Sequence, residues 1–196
     1  MKIYGNSGSG NCLKVKWTAD LLGRPYSWQE VDSVGGETRT PGYLARFPLG
    51  QVPAVEFEDG RRLAQSNAII RYLAAGSALL PADPFLAAKV DEWLFWEQYS
   101  HEPYIAVCRY QMVFKGLPAE AREPWRVERG EAALDILDQH LTAREWLVGE
   151  TMTIADLALL AYSRVAHEGG FDLSGRPHLR AWIARGETQL NLPLAA

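Results

Sequence analysis

Along roughly the first 75 residues the spacing of apolar positions changes period again and again. "KIYG", residues 2–5, is a short strand signal. From about Asn11 to Leu22 the apolar Val15, Ala19 and Leu22 recur at helical spacing, and Gly23 supplies a stop. "PYSWQEVD", residues 25–32, has the aromatic and β-branched content of a strand. Thr40 followed by Pro41 predicts a helix start, because a proline in the first helical position lacks an N–H that would be unpaired there anyway. "VPAVEFEDGRRLA", residues 52–64, reads as two strands joined by a turn at Asp59 and Gly60, after which Ser66 is expected to cap a helix carrying Ile69, Ile70 and Leu73. The predicted order is β-α-β-α-β-β-α, a small mixed sheet flanked by helices.

Around "AAGSALLPADP", residues 74–84, Gly, Ser and two prolines interrupt the pattern and mark a boundary. The strand signals stop there. Residues from about 85 to 114 place aromatics and alanines at helical spacing. "WRVERGEAALDILDQHL", residues 125–141, is read with Ala132, Ile136 and Leu141 on one side. "TIADLALLAYSRV" opens with a capping box in which Thr153 and Asp156 each satisfy the other's backbone amide. The expected architecture is an α+β domain over 1–76, a linker over about 77–84 and an all-α domain over 85–196.

Composition narrows the function classes. A chain of 196 residues, 47% hydrophobic and 22% charged, is long enough to bury a substantial core. Its formal net charge of −4, without a Lys/Arg-rich stretch, gives no footprint for nucleic acid. No apolar run approaches the roughly 20 residues of a membrane span, and "MKIYGNSG" lacks the apolar core of a secretory signal, so a cytoplasmic protein without a membrane partner is expected. The two cysteines, Cys12 and Cys108, make neither a CxxC pair nor a disulfide framework. The four histidines are scattered, so no metal is expected.

Three short stretches carry candidate chemistry. In "SGSGNCLKV", residues 7–15, Ser9 stands at the approach to a helix whose unpaired amides and positive dipole end favour an anion; Ser9 is either a simple N-cap or a contact to such a ligand. Cys12 falls in the first helical turn, where a thiol pKa can drop, although inert buried cysteines also occur there. In "PLGQVPAV", residues 48–55, Pro53 has to sit at a strand start or edge, and a cis peptide after Val52 would leave the Val52 backbone open to a partner outside the sheet. In "LAQSNAIIRYL", residues 63–73, Gln65 and Ser66 stand at a strand-to-helix junction, either as a plain cap or as a carboxylate site.

Taken in order, "SGSGNCLKV", "LGQVPAV", "QS" opening a helix and "TIADLAL" in an all-helical half resemble the cytosolic glutathione transferases over nearly the whole chain. The resemblance implies a thioredoxin-like N-terminal domain that binds glutathione as co-substrate, a helical domain that shapes the second-substrate pocket, and a homodimer with a detoxifying role. Residue by residue it implies Ser9 as the group on the glutathione sulfur with Asn11 as its partner. It also implies Val52 and the cis-proline Pro53 at the cysteinyl part, Gln65 and Ser66 at the γ-glutamyl carboxylate, and Arg39 and Gln51 near the glycyl carboxylate. Cys12 falls close to the cysteine of the bacterial beta-type class. Together with His101, Tyr104 and Cys108 it is placed at the second-substrate pocket.

Two departures stand out. The usual Asn-Pro before Val-Pro is here Phe47-Pro48, and no tyrosine occupies the transfer position, because Tyr4 lies inside the first strand. The implied activity is transfer of glutathione to a small hydrophobic electrophile by a serine-type rather than a tyrosine-type mechanism. The alternatives are glutathione-dependent disulfide reduction or deglutathionylation, and a non-catalytic glutathione-binding protein.

Overall fold

The computed structural model describes residues 1–193. They form two compact units, Met1–Ser77 and Ala78 onward. In the first, β1 (Lys2–Gly5), α1 (Gly10–Leu21) and β2 (Ser27–Glu30) make a βαβ start, followed by α2 (Pro41–Leu44), β3 (Ala54–Glu56), β4 (Arg62–Ala64) and α3 (Ser66–Ala74). The four strands lie in the order β2-β1-β3-β4. β1 runs parallel to β2, pairing Lys2 with Ser27, and antiparallel to β3, pairing Tyr4 with Ala54; β3 and β4 close the hairpin with Val55 opposite Leu63.

Local chemistry accounts for these elements. Thr40 caps α2 by accepting from the Tyr43 N–H, with Pro41 in the first turn. Gly60 takes φ +82° in the hairpin turn, a conformation that costs a residue without a Cβ little. Gly5 is required for a different reason: a Cβ there would lie 2.4 Å from Cη2 of Trp28, so β1 admits the indole only with a bare backbone. Tyr4, Val31, Tyr43, Phe47 and Ala54 form a buried cluster at this end of the sheet. Tyr4 packs edge-on against Phe47 with ring centroids 5.0 Å apart, donates its hydroxyl hydrogen to Glu56 at 3.1 Å and accepts from Arg46 at 3.1 Å. Phe47 is therefore a core side chain, and Tyr4 is a sheet residue.

The second unit is helical: α4 (Pro84–Trp96), α5 (Glu102–Arg109), α6 (Pro124–His140), α7 (Ile154–Ser163) and α8 (Pro177–Gln189). Between α4 and α5, Glu97–His101 widens into a π turn, and a second follows α5 at Tyr110–Phe114. Pro103 gives a reason for the first. It has no N–H to return to Tyr99, and its ring would crowd that carbonyl in a regular helix. Asp83 caps α4 by accepting from Leu86 N–H at 2.8 Å.

The capping box of α7 is present and reaches further than a local motif. Asp156, fully buried, accepts from the Thr153 N–H at 2.8 Å, the Leu147 N–H at 2.9 Å and the Trp182 indole N–H at 2.9 Å. One carboxylate thus ties α7, the preceding loop and α8 together. Two expectations need correction. Ala132 and Ile136 are exposed, and α6 buries Gly130, Ala133, Leu134 and Leu137 instead, with Leu141 beyond its end. The helix carries apolar side chains on two adjoining stripes, and only packing selects the one spaced 130, 133, 134, 137, 141. Ser66 is the first residue of α3 rather than its cap; Gln65 occupies the cap position with φ +70° and gives no side-chain capping bond.

Candidate functional site

Ser9 occupies the N-cap position of α1 in extended conformation, φ −91° and ψ 120°, yet its side chain makes no capping bond. Its carbonyl accepts from the N–H groups of Cys12 and Leu13, so the backbone starts the helix and the hydroxyl is not spent on it. The turn before it is held by Asn6, whose side-chain oxygen accepts from Gly8 N–H at 2.9 Å, and by Glu30, which accepts from Ser7 N–H at 2.8 Å and from the Trp28 indole at 2.7 Å. Burial works against ionisation there, but those donors outweigh it and hold the Glu30 carboxyl below the usual carboxylate range.

Of the two readings of Cys12, its surroundings match the buried one. It is fully buried, and burial pushes its thiol up to about 11, with the Asn6 N–H and the Ser9 hydroxyl only partly offsetting the loss of water. The helix N-terminus that can lower a thiol pKa is outweighed here by desolvation.

Asn11 projects toward α3. Its Oδ1 accepts from Ser66 Oγ at 3.2 Å and from Lys14 Nζ at 2.8 Å. One turn of α1 is thereby stitched to the first residue of α3, and Lys14, without exposed surface, lies beneath the junction. On the other side Gln65 Nε2 donates to Gln51 Oε1 at 3.2 Å, and the Gln51 carbonyl accepts from the Tyr43 hydroxyl at 2.8 Å. Arg39 lies alongside Gly50, where an added Cβ would stand 2.7 Å from its Nη1. The peptide between Val52 and Pro53 is cis. Among the described residues neither the N–H nor the C=O of Val52 takes part in a hydrogen bond.

The expected residues of the first unit therefore form one continuous surface. It runs from Ser9 and Asn11 through Ser66 and Gln65 to Gln51 and Arg39, with the Val52 backbone beside it. Gln65 holds a positive φ that a side chain adopts at a cost of about 1–3 kcal/mol, strain of the kind that gathers at ligand sites. Chemically the surface offers hydroxyl, amide and backbone donors, one guanidinium and an unpaired peptide group. That set suits an extended peptide-like anion.

The residues expected at a second-substrate pocket differ in exposure. Cys12, His101 and Cys108 have no exposed surface. His101 Nε2 lies 3.0 Å from Ser163 Oγ inside the helical unit, and burial raises the Cys108 thiol above its ordinary value. Those three are interior side chains, and a substrate could not reach them; Tyr104 alone of the group is accessible, its ring 6.2 Å from that of Trp125 and covered by Arg129. Lys14 was missed in the sequence. The signal for it is the Asn-x-x-Lys spacing, which puts residues 11 and 14 on one helix face.

A four-stranded mixed sheet with its helices and a cis-proline before β3, followed by a separate helical unit, makes a thioredoxin-like domain joined to an all-helical one. The N-terminal domain of the glutathione S-transferases matches residues 8–75 and their C-terminal domain matches residues 104–189. The chain belongs to the glutathione S-transferase family. It is 33% identical to glutathione S-transferase PM239X14 of Arabidopsis thaliana, over 94% of this chain and 90% of that protein. A solved glutathione S-transferase from Pseudomonas fluorescens Pf-5 superposes with a TM-score of 0.93 at 48% identity, covering 100% of this chain and 98% of that one. Another, from Xanthobacter autotrophicus Py2, gives 0.93 at 44% identity, with 99% and 96% covered. These homologues and structural neighbours are glutathione S-transferases, which supports a transferase activity with glutathione as co-substrate.

Proposed function

We propose that glutathione lies along the surface from Arg39 to Ser9. Its γ-glutamyl carboxylate sits at Ser66 and Gln65, its cysteinyl peptide pairs with Val52, its glycyl carboxylate faces Arg39 and Gln51, and its sulfur rests beside Ser9 with Asn11. The observation that carries this reading is the unused backbone N–H and C=O of Val52, flanked by the polar groups that a tripeptide's two ends require. The bound thiolate then attacks a small hydrophobic electrophile, with Tyr104 as a candidate contact on the helical unit.

The energetics are sufficient. A free cysteine thiol ionises near pH 8.5, and lowering this by about two units needs roughly 2.7 kcal/mol of preferential stabilisation of the thiolate. A hydroxyl hydrogen bond to an anion contributes on the order of 1.5–3 kcal/mol and a helix N-terminus about 0.3–1 kcal/mol more. Ser9 at the start of α1 combines both. Disulfide reduction through a protein thiol is not favoured, because Cys12 is buried with its thiol held protonated at neutral pH. We further propose a homodimer in the cytoplasm. No described helix is long and apolar enough to cross a membrane, and the exposed rings of Phe95 and Tyr99 supply an apolar face for a second subunit.

The test is the ultraviolet thiolate absorbance of bound glutathione, titrated in wild type, Ser9→Ala and Asn11→Ala. The bound thiol pKa should rise by about one to two units in Ser9→Ala and by less in Asn11→Ala. If both variants titrate as wild type does and conjugate at the wild-type rate, the assignment of the activating groups is wrong.

A further inference from the structure

Lys14 has no solvent exposure at all, a rare state for a lysine, and it sits on the face of α1 that carries Asn11. Its Nζ stands 2.8 Å from the Asn11 side-chain oxygen. A lysine nitrogen in this position only donates, as does the Ser66 hydroxyl hydrogen 3.2 Å from the same oxygen. Two donors converging on one end of the amide fix which end is which. The carbonyl oxygen of Asn11 faces Lys14 and Ser66, and the NH2 end is turned the other way as a donor.

The two donors are not equivalent once substrate arrives. A hydroxyl has one hydrogen to give. In the free protein Ser66 gives it to Asn11; when a carboxylate docks at the start of α3, the stronger acceptor takes it, since bonds to charged groups are worth roughly twice those to neutral ones. Asn11 Oδ1 then loses Ser66 while Lys14 keeps its hold. We infer that Lys14 is a positioning residue that keeps the Asn11 amide oriented with its donor end toward the glutathione sulfur when the γ-glutamyl carboxylate draws the Ser66 hydroxyl away. The inference rests on the reading above that places Asn11 beside that sulfur. It makes the two ends of the glutathione site share one side chain, with the buried lysine keeping the shared side chain in place.

The experiment compares Lys14→Met, Lys14→Gln, Asn11→Ala and the Lys14→Met/Asn11→Ala double variant in the full-length enzyme. It reads the thiolate absorbance of bound glutathione against pH, the pH–rate profile and KM for glutathione. Lys14→Met should raise the bound thiol pKa by about one unit, and so lower kcat/KM at pH 6.5 about tenfold, with KM changed less than about threefold. Lys14→Gln retains a donor of similar reach and should titrate near wild type. In the Asn11→Ala background Lys14→Met should add nothing, because the side chain through which it acts is gone.

The inference is overturned if Lys14→Met lowers the melting temperature but leaves the thiol titration and pH–rate profile at wild type. It is equally overturned if the shift persists undiminished in the double variant, which would make Lys14 act by its own charge. Should Lys14→Met fail to fold, Lys14→Ala takes its place beside Lys14→Gln: a raised thiol pKa in Lys14→Ala with a near-wild-type titration in Lys14→Gln supports the inference, and equal titrations in the two overturn it. An Asn11→Ala enzyme that titrates as wild type overturns the placement of Asn11 itself, whereas an effect of Asn11→Ala without one of Lys14→Met overturns only the role of Lys14.

Discussion

Cys12 and Ser9 stand three residues apart at the start of α1, yet their environments assign them opposite roles. Ser9 keeps a hydroxyl that the helix does not use for capping, whereas Cys12 is enclosed and its thiol is pushed up to about 11. The linkage follows from that shift. An unfolded cysteine ionises near 8.5, so as pH rises the unfolded chain releases this proton before the native state does. The contribution of Cys12 is complete below about pH 8.5 and is lost progressively toward pH 11, by roughly 3 kcal/mol in all. Urea unfolding at pH 7.5 and 10.5 should show a steeper loss of stability in wild type than in Cys12→Ala; parallel losses would mean that the thiol ionises normally. Native Cys12 should also react with iodoacetamide at pH 7.5 far more slowly than the same residue in 6 M urea, as mass spectrometry of the modified peptide would report.

Among the elements, α7 illustrates how a local motif becomes a tertiary anchor. Thr153 and Asp156 form the box that any isolated helix could use, but the carboxylate also serves Leu147 and Trp182. Removing it leaves several buried donors unpaired at once. Asp156→Ala should therefore cost about 3 kcal/mol or more, beyond the roughly 1 kcal/mol of an ordinary cap, while Thr153→Ala stays nearer the latter. Thermal unfolding of the two variants checks the ranking, and equal losses would reduce Asp156 to a cap. The π turn before Pro103 belongs to the same scale. A single missing N–H there widens the run from α4 to α5 into a π turn.

For the molecule as a whole, the exposed aromatic face bears on assembly. Phe95 and Tyr99 are 77% and 82% exposed, one helical turn apart along α4 and the π turn that continues it. Large rings left bare in this spacing are costly in water and suit a subunit contact. Sedimentation at micromolar concentration should give a dimer for wild type and a monomer for Phe95→Asp/Tyr99→Asp; an unchanged dimer would move the interface elsewhere.

The sequence by itself determined what local chemistry can encode. The Asp59-Gly60 turn, Thr40 before Pro41, the Thr153/Asp156 box and the Val-Pro step each bias backbone angles or hydrogen bonds within a few residues, so they are legible without the fold. The ordered set of short motifs also carried the family. Burial and partnership are long-range, and only tertiary structure decided those. It chose the Ala133, Leu134 and Leu137 stripe of α6 over Ala132 and Ile136, closed water away from Cys12, His101 and Cys108, and brought Asn11 within 3.2 Å of a serine 55 positions away. Lys14 looks in sequence like one of many solvated lysines on a helix. It becomes part of the candidate site only because the packing of α1 against α3 removes it from water and leaves the Asn11 amide within its reach.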